Sequence, residues 1–159
     1  MITQQRLHEL FDYADGELVR RAGRKGGSVN KRGYKILCVD YKMYKAHRLV
    51  FLYHNGYLPD QIDHADGDKL NNRIENLRPA TNGQNCMNRG VMRNNTSGAK
   101  GVFWDKEAGK WRVAVRFGTV LKSFGRFVDF ELAELVATMA REKYHGAFAN
   151  HGTYLKDGV

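Results

Sequence analysis

The chain has 159 residues, of which 42% are hydrophobic, enough for the core of one ordinary domain or two small ones. That hydrophobic content excludes an intrinsically disordered chain. The chain carries 26 Lys and Arg residues against 17 Asp and Glu residues, a formal net charge of +9, which favours an anionic partner such as nucleic acid. No segment is apolar enough to span a membrane and no signal segment opens the sequence, so we expect a cytoplasmic protein with no membrane partner.

The first 45 residues predict a small α+β segment. Thr3 is placed to cap a short first helix. A turn at Asp15-Gly16 then precedes a short strand at Glu17–Arg20. Two β-rich runs, Gly33–Val39 and Tyr41–Ala46, follow and predict a hairpin.

The next segment holds the residues suited to chemistry. A helix is predicted over His47–Asn55, with Gly56 as its stop. Gln61–His64 is predicted to be extended, and Asp66-Gly67-Asp68 to form a turn, so Asp66 and Asp68 are interpreted as turn formers.

A second helix is predicted to begin after Thr81. Thr81 and Gln84 match the capping-box pattern, which places Asn85 in the first turn or so of that helix. The order is therefore strand, irregular loop and helix, with polar groups at both ends of the loop.

The last part of the chain predicts three strands and a helix. The polar stretch at residues 90–99 is interpreted as a linker. Lys110–Phe117 alternates as a half-buried strand should, with Trp111 predicted to be core, whereas Leu121–Phe124 does not alternate, which indicates a bulge or register shift. Asp129 is expected to cap the final helix, and His145 is interpreted as an ordinary surface or helix-end residue.

Asp63, His64, Asn76 and Asn85 fit the needs of phosphodiester hydrolysis. Such a site needs a metal ion that neutralises charge on the phosphate and a base that takes a proton from water. Magnesium prefers oxygen ligands and keeps several waters, so Asp63 and Asn85 suffice as protein ligands. His64 suits the base, and Asn76 could fix either the loop or the imidazole. Neighbours in a strand point to opposite sides, so Asp63 and His64 can share a site only if the backbone turns there.

Four spaced matches, in order, resemble the HNH endonuclease family: Ala46–Val50, Ile62–Asp68, Asn71–Arg78 and Asn85. The similarity is to phage and intron homing endonucleases with a ββα-metal fold. It implies His64 as general base, Asp63 and Asn85 as metal ligands and Asn76 as an orienting residue. One Mg²⁺ or Mn²⁺ per site is expected.

No structural zinc is expected, because zinc-binding HNH relatives use CxxC pairs and this chain has none. Cys38 and Cys86 are instead predicted to be two buried free thiols.

Residues 97–149 are similar to the DNA-binding domain of plant ethylene-response factors. The resemblance rests on Ser97–Val102, Trp104, Gly109–Trp111 and Phe148-Ala149. It implies a three-stranded sheet packed on one helix that binds duplex DNA. The candidate DNA contacts are Lys100, Trp104, Lys110, Arg112, Arg116, Lys122 and Arg126.

A further group of residues forms a candidate phosphate-contacting patch. Its run of Arg and Lys residues before the first hairpin could equally be a solvated loop. The patch comprises Arg24, Lys25, Lys31, Arg32, His47 and Arg48. For His47, packing near the site and a role beside phosphate or metal are both retained.

The predicted fold class is therefore α+β: an α+β lead-in and HNH module at 1–89, a linker at 90–99, a sheet-plus-helix domain at 100–149 and a tail at 150–159. The predicted function is a metal-dependent, homing-type endonuclease acting on double-stranded DNA, as a monomer, with a dimer as the alternative. The first rival is a non-catalytic DNA-binding regulator that keeps a degenerate nuclease scaffold. An RNA-binding or RNA-cutting protein is the second rival.

Overall fold

The computed structural model describes residues 2–22 and 27–152, so the predicted phosphate contacts Arg24 and Lys25 lie outside the described residues. The chain divides into two compact units, Met1–Ala80 and Thr81–Val159. The helix that begins after Thr81 therefore groups with the second unit, whereas the sequence places it at the end of the first module.

Helices and short antiparallel strands alternate in the first unit. Its described elements are α1 (Gln4–Leu10), β1 (Phe11–Ala14), β2 (Glu17–Arg20), β3 (Ser28–Val29), β4 (Lys35–Val39), β5 (Lys42–Lys45), α2 (Ala46–Asn55), β6 (Gln61–His64), a 3₁₀ helix (Ile74–Asn76) and β7 (Leu77–Ala80). The strands form a β1–β2 hairpin, a β3–β4–β5 sheet and a β6–β7 hairpin. The predicted strands and the helix before Gly56 are confirmed.

The helices of the first unit begin and end where local chemistry dictates. The Thr3 hydroxyl accepts a hydrogen bond from the Arg6 backbone N–H and so caps α1, as predicted. Helix α2 buries an apolar face in the core of the unit and ends at Gly56, which has a φ of 74° and donates its N–H to the Leu52 carbonyl. A Cβ at Gly56 would lie 3.0 Å from the Gln4 side chain, so glycine suits this stop sterically as well.

A three-stranded sheet and a long helix dominate the second unit. Its described elements are α3 (Asn82–Met87), β8 (Val102–Asp105), β9 (Lys110–Phe117), β10 (Val120–Phe127), α4 (Phe130–His145) and a 3₁₀ helix (Gly146–Phe148). The sheet is antiparallel in the order β10–β9–β8, and α4 packs against it, as predicted. No helix in the described part of the chain, α4 included, has the length and apolar character needed to cross a membrane.

Both helix caps predicted in this unit are confirmed. Thr81 and Gln84 form a reciprocal capping box at the start of α3. The Asp129 carboxylate accepts from the Leu132 N–H at the start of α4.

The stretch interpreted as a linker ends in an ordered loop. Residues 90–99 contain no helix or strand, but Ala99 is buried in the core of the second unit. The Ser97 hydroxyl donates to the Val102 carbonyl at 2.7 Å, which fixes the loop to the start of β8. Trp111 packs partly buried against the same core, as predicted.

The predicted irregularity in the third strand of this sheet is a register shift. Ser123 pairs with Ala114 and Gly125 pairs with Val113, so Phe124 is an extra residue on β10. Gly125 has a φ of 116°, a conformation that favours glycine.

One expectation about burial is wrong. Both cysteines are free but exposed, because Cys38 points outward between the buried residues Leu37 and Val39 of β4, and Cys86 lies on the open side of α3. His145 is the last residue of α4, which confirms its helix-end placement, and it is buried with its Nε2 2.8 Å from the Arg116 carbonyl.

Candidate active site

Asp63 and His64 are the last two residues of β6, and both are buried, with 4% and 5% of their surface exposed. In the β6–β7 hairpin, Asp63 pairs with Arg78 and His64 pairs with Leu77. The chain turns directly after His64, whose carbonyl accepts from the Gly67 N–H at 2.9 Å. The turn therefore follows both residues, which pair in register within β6, and their service in one site stays a prediction.

The Asn76 side chain holds this turn together. Its Oδ1 accepts from the Asp66 N–H at 3.0 Å, and its Nδ2 donates to Asp66 Oδ1 and the Asn71 carbonyl, both at 2.8 Å. Burial opposes ionisation of Asp66, but hydrogen bonds from Asn71 and Asn76 outweigh it and lower its pKa. Asn76 was expected to fix either the loop or the imidazole of His64, and these contacts are with the loop.

Asp66 and Asp68 are turn formers, as predicted. Asp66 Oδ1 accepts from the Asp68 N–H, and Asp68 Oδ1 accepts from the Leu70 N–H, each at 2.8 Å. Each aspartate thus caps the backbone two residues further on.

Asn72 is the residue that contacts the imidazole of His64. The distance from His64 Nε2 to Asn72 Oδ1 is 3.1 Å, and Asn72 is 2% exposed. Asn72 Nδ2 donates to the Leu70 carbonyl, which determines that the amide oxygen faces the histidine. With the amide oxygen as its partner, Nε2 is the donor in this contact. Asn72 lies within the matching sequence motif, but no spacing rule indicates this role.

His47 packs edge-on against His64. Their ring centroids are 5.0 Å apart at an interplanar angle of 82°, and Tyr34 lies 5.4 Å from His47. Burial, with a smaller contribution from His64, lowers the pKa of His47 to about 3. This burial favours the packing role for His47, and its role beside phosphate or metal stays a prediction.

The buried His47 should make the fold sensitive to acid. Its pKa in the folded protein is about 3, below the ordinary 6.5, so from pH 6.5 downward the unfolded chain binds a proton that the folded chain does not. His47 therefore leaves the free energy of unfolding undiminished above pH 6.5. Below that pH the free energy of unfolding falls, by about 3 kcal/mol at pH 4 from this group alone. Urea unfolding from pH 7 to pH 4 should show a shallower decline for His47→Phe than for wild type. His151→Phe, at an exposed histidine, should decline as wild type does; equal slopes for all three proteins would contradict the prediction.

Arg78 holds the carboxylate of Asp63. Arg78 Nε and one terminal nitrogen lie 2.9 and 2.7 Å from Asp63 Oδ2. The Asp63 side chain is 5% exposed and that of Arg78 23% exposed, so the pair is largely shielded from water. The guanidinium therefore orients the carboxylate that the sequence identifies as a metal ligand.

Asn85 lies in the first turns of α3, in the second unit, where its N–H donates to the Thr81 carbonyl at 3.0 Å. Across residues 2–22 and 27–152, no three His, Cys, Asp or Glu side chains form a group that could hold a metal ion. The expected ligand pair, the carboxylate of Asp63 and the amide of Asn85, consists of hard oxygen donors. Such a pair fits Mg²⁺ or Mn²⁺, which leave their other positions to water and phosphate.

The remaining basic positions predicted in the first unit lie near its surface. Lys31 and Arg32 are exposed in the turn before β4. Arg48 is half-buried and donates to the Asp60 carbonyl at 3.2 Å.

One face of the sheet in the second unit collects four of the seven predicted DNA contacts. Arg112 of β9 lies opposite Phe103 of β8 and Arg126 of β10, so these three side chains share the face that points away from α4. Lys110 and Arg116 alternate with Arg112 along β9 and belong to the same face. All four basic residues are exposed. We call this surface the outer face.

The other three predicted contacts lie elsewhere. Lys100 Nζ donates to the Met87 and Arg89 carbonyls at 2.7 and 2.6 Å, and burial lowers its pKa to about 8. Trp104 packs on Trp111, on the α4 side of the sheet, with ring centroids 4.8 Å apart. Lys122 Nζ donates to the Tyr144 hydroxyl of α4 at 2.9 Å.

Two apolar residues on the outer face escaped the sequence analysis. Phe103 is 46% exposed and Leu121 is 52% exposed, and both lie opposite arginines of β9. Neither β8 nor Leu121–Phe124 alternates apolar and polar residues, so no periodicity marked these two positions.

Comparison with known proteins agrees with this geometry. A model of the HNH endonuclease family matches residues 44–87, which include β6, β7 and α3 in ββα order. Protein 3.8 of Escherichia phage T7 is 38% identical over 113 residues, covering 69% of this chain and 91% of that protein. This chain contains an HNH endonuclease domain at residues 44–87. Asp63, His64, Asn76 and Asn85 all lie within the HNH match, which implies a nuclease with DNA as its substrate. No solved structure matches the chain.

Proposed function

We propose that this protein is a divalent-metal-dependent endonuclease that hydrolyses phosphodiester bonds in duplex DNA. The observation that carries the proposal is the buried His64, which follows Asp63 at the end of β6 and has its tautomer set by Asn72, inside the HNH match. A fixed, neutral imidazole with its lone pair on a defined nitrogen is what a general base requires.

Each residue of the site has one task in this mechanism. His64 Nδ1 takes the proton from the attacking water, while Asn72 keeps Nε2 protonated and the ring in place. Asp63, oriented by Arg78, and Asn85 would hold the ion. When bound, a divalent ion neutralises charge on the phosphate and on the leaving oxygen. Asn76 maintains the turn that follows the base.

The outer face of the second unit is proposed to bind the duplex. Lys110, Arg112, Arg116 and Arg126 can contact phosphates and base edges in the major groove, which admits a β-sheet. This proposal extends the resemblance to ethylene-response factors. Because the T7 relative is a phage protein, we propose a phage-infected cell as the setting and a homing-type role in it.

Incubation of supercoiled plasmid with the protein tests the activity. With Mg²⁺ or Mn²⁺ we expect nicked circles to appear first, since one site per chain cuts one strand at a time, and with EDTA we expect no cleavage. A non-catalytic regulator would retard the plasmid in a gel but never relax it. That result, with folded protein and across both metals, would overturn the proposal.

A further inference from the structure

Tyr34 lies beside the candidate base and carries two lysine side chains over its ring. Its ring centroid is 6.3 Å from that of His64 and 5.4 Å from that of His47. Lys45 Nζ is 4.4 Å from the Tyr34 centroid, and Lys69 Nζ is 5.4 Å from it. The two cations come from distant parts of the sequence, the end of β5 and the loop after β6, and they converge on one ring.

This arrangement concentrates positive charge that no acidic side chain balances. Within the described residues, neither Lys45 nor Lys69 forms an ion pair with a carboxylate. Both ammonium groups lie within about one Debye length (~10 Å at 0.1 M salt) of each other, so their repulsion is only partly screened. The face of Tyr34 offsets part of this repulsion. A phosphate that contacts these ammonium groups would offset much more.

Lys69 is held in this position by its surroundings. Its Nζ donates to the Arg32 carbonyl at 3.1 Å. Its Cδ lies only 3.6 Å from where a Cβ would stand on Gly33, whose φ is 79°. A left-handed glycine here leaves room for the lysine to run along the backbone towards Tyr34.

We propose that Lys45, Tyr34 and Lys69 form a binding site for a DNA backbone phosphate that flanks the one attacked at His64. The proposal rests on the proposed function, because a phosphodiester chain is the anion that places a second phosphate beside the scissile one. Lysine binds phosphate as a point charge without reading bases, so this site anchors the strand and adds affinity independent of sequence.

Salt-dependent binding of a short, labelled DNA duplex of mixed sequence tests the site directly. The measurement uses wild type, Lys45→Gln and Lys69→Gln in EDTA, so that cleavage does not intervene. Each lost phosphate contact should reduce the slope of log K against log[salt] by about 0.9 and weaken binding about eightfold at 0.1 M salt. The single-turnover rate at saturating protein in Mg²⁺ should be unchanged, because the loss of an anchoring contact raises KM and leaves kcat unaffected.

Lys42→Gln provides the matched control. Lys42 lies on β5 as Lys45 does and is exposed, but it has no contact with the Tyr34 ring. The slope of log K against log[salt] should change less for Lys42→Gln than for Lys45→Gln. An equal slope change for Lys42→Gln and Lys45→Gln would show a general charge effect and overturn the proposal, as would unchanged slopes for both Tyr34-bound lysines.

The two proposals fail in different ways. If wild-type protein binds the duplex with a slope that depends on Lys45 and Lys69 but never nicks plasmid, the nuclease proposal fails and the phosphate site stands. If it nicks plasmid and the lysine variants bind as wild type does, only the phosphate site fails. A fall in the saturated cleavage rate at unchanged slope would assign the lysines to the chemical step and also reject an anchoring role.

Discussion

Plasmid cleavage by the His64→Ala variant is expected to be about 100-fold to 10,000-fold slower than that of wild type, because the general base is lost. Duplex binding should be unchanged, since only 5% of the His64 surface is exposed and the proposed DNA contacts are made by lysine and arginine side chains. Single-turnover nicking in Mg²⁺ and gel retardation in EDTA measure the two properties separately.

His151→Ala is a suitable control for this experiment, because His151 is an exposed histidine outside the HNH match. It should cleave as wild type does. Equal cleavage by wild type and His64→Ala would remove His64 from the base role. Loss of binding together with cleavage would indicate that the substitution damages the fold.

Replacing Arg78 with leucine is expected to destabilise the protein by about 3 kcal/mol, because it removes the cation paired with a buried carboxylate. Asp63 and Arg78 are cross-strand partners, and the two hydrogen bonds between them join β6 to β7. Urea unfolding measures the change. The double variant Asp63→Asn/Arg78→Leu should lose less stability than the two single variants added together, since much of the cost is the carboxylate left behind.

An exposed arginine tests whether this cost is particular to the buried pair. Arg73 is 60% exposed and lies 3.7 Å from Asp15, itself 92% exposed. Arg73→Leu should therefore cost less than about 1 kcal/mol. If Arg73→Leu and Arg78→Leu destabilise the protein equally, the special status of the Asp63–Arg78 pair is refuted.

Local chemistry explains why the elements were predictable. Thr3, Thr81 and Asp129 act through hydrogen bonds to backbone N–H groups only three residues away, so the sequence alone reveals the caps. Gly56 ends α2 through its own left-handed conformation. The strand β9 was predictable for the same reason, because its alternation of polar and apolar residues is visible without knowledge of distant residues.

The contacts around His64 could not be predicted, because they depend on three-dimensional packing. Asn72 reaches Nε2 only because Asn76 and Asp66 fold the intervening loop into one conformation. His47 and Tyr34 come from other elements, and no periodicity shows that their rings meet His64. Sequence patterns therefore predicted the candidate reacting groups but not the residues that contact them.

The outer face shows a related limit. Lys110, Arg112 and Arg116 were assigned correctly to one face because β9 is regular. Trp104 and Lys122 instead lie on the α4 side of the sheet. The sequence could not predict this, because their faces depend on pairing with β9, which the sequence does not specify.

The extra residue in β10 has a consequence for how this surface can evolve. Arg126 lies opposite Arg112 only because Phe124 is unpaired; in a continuous ladder Arg126 would fall opposite Trp111 and point towards α4. Asp105 lies 2.7 Å from Arg126 and offsets the repulsion between the two arginines. Deletion of Phe124 would leave the pairing on both sides in register, whereas an insertion between Gly125 and Arg126 would turn Arg126 inward. Length changes that preserve the DNA-facing residues should therefore accumulate among relatives at position 124.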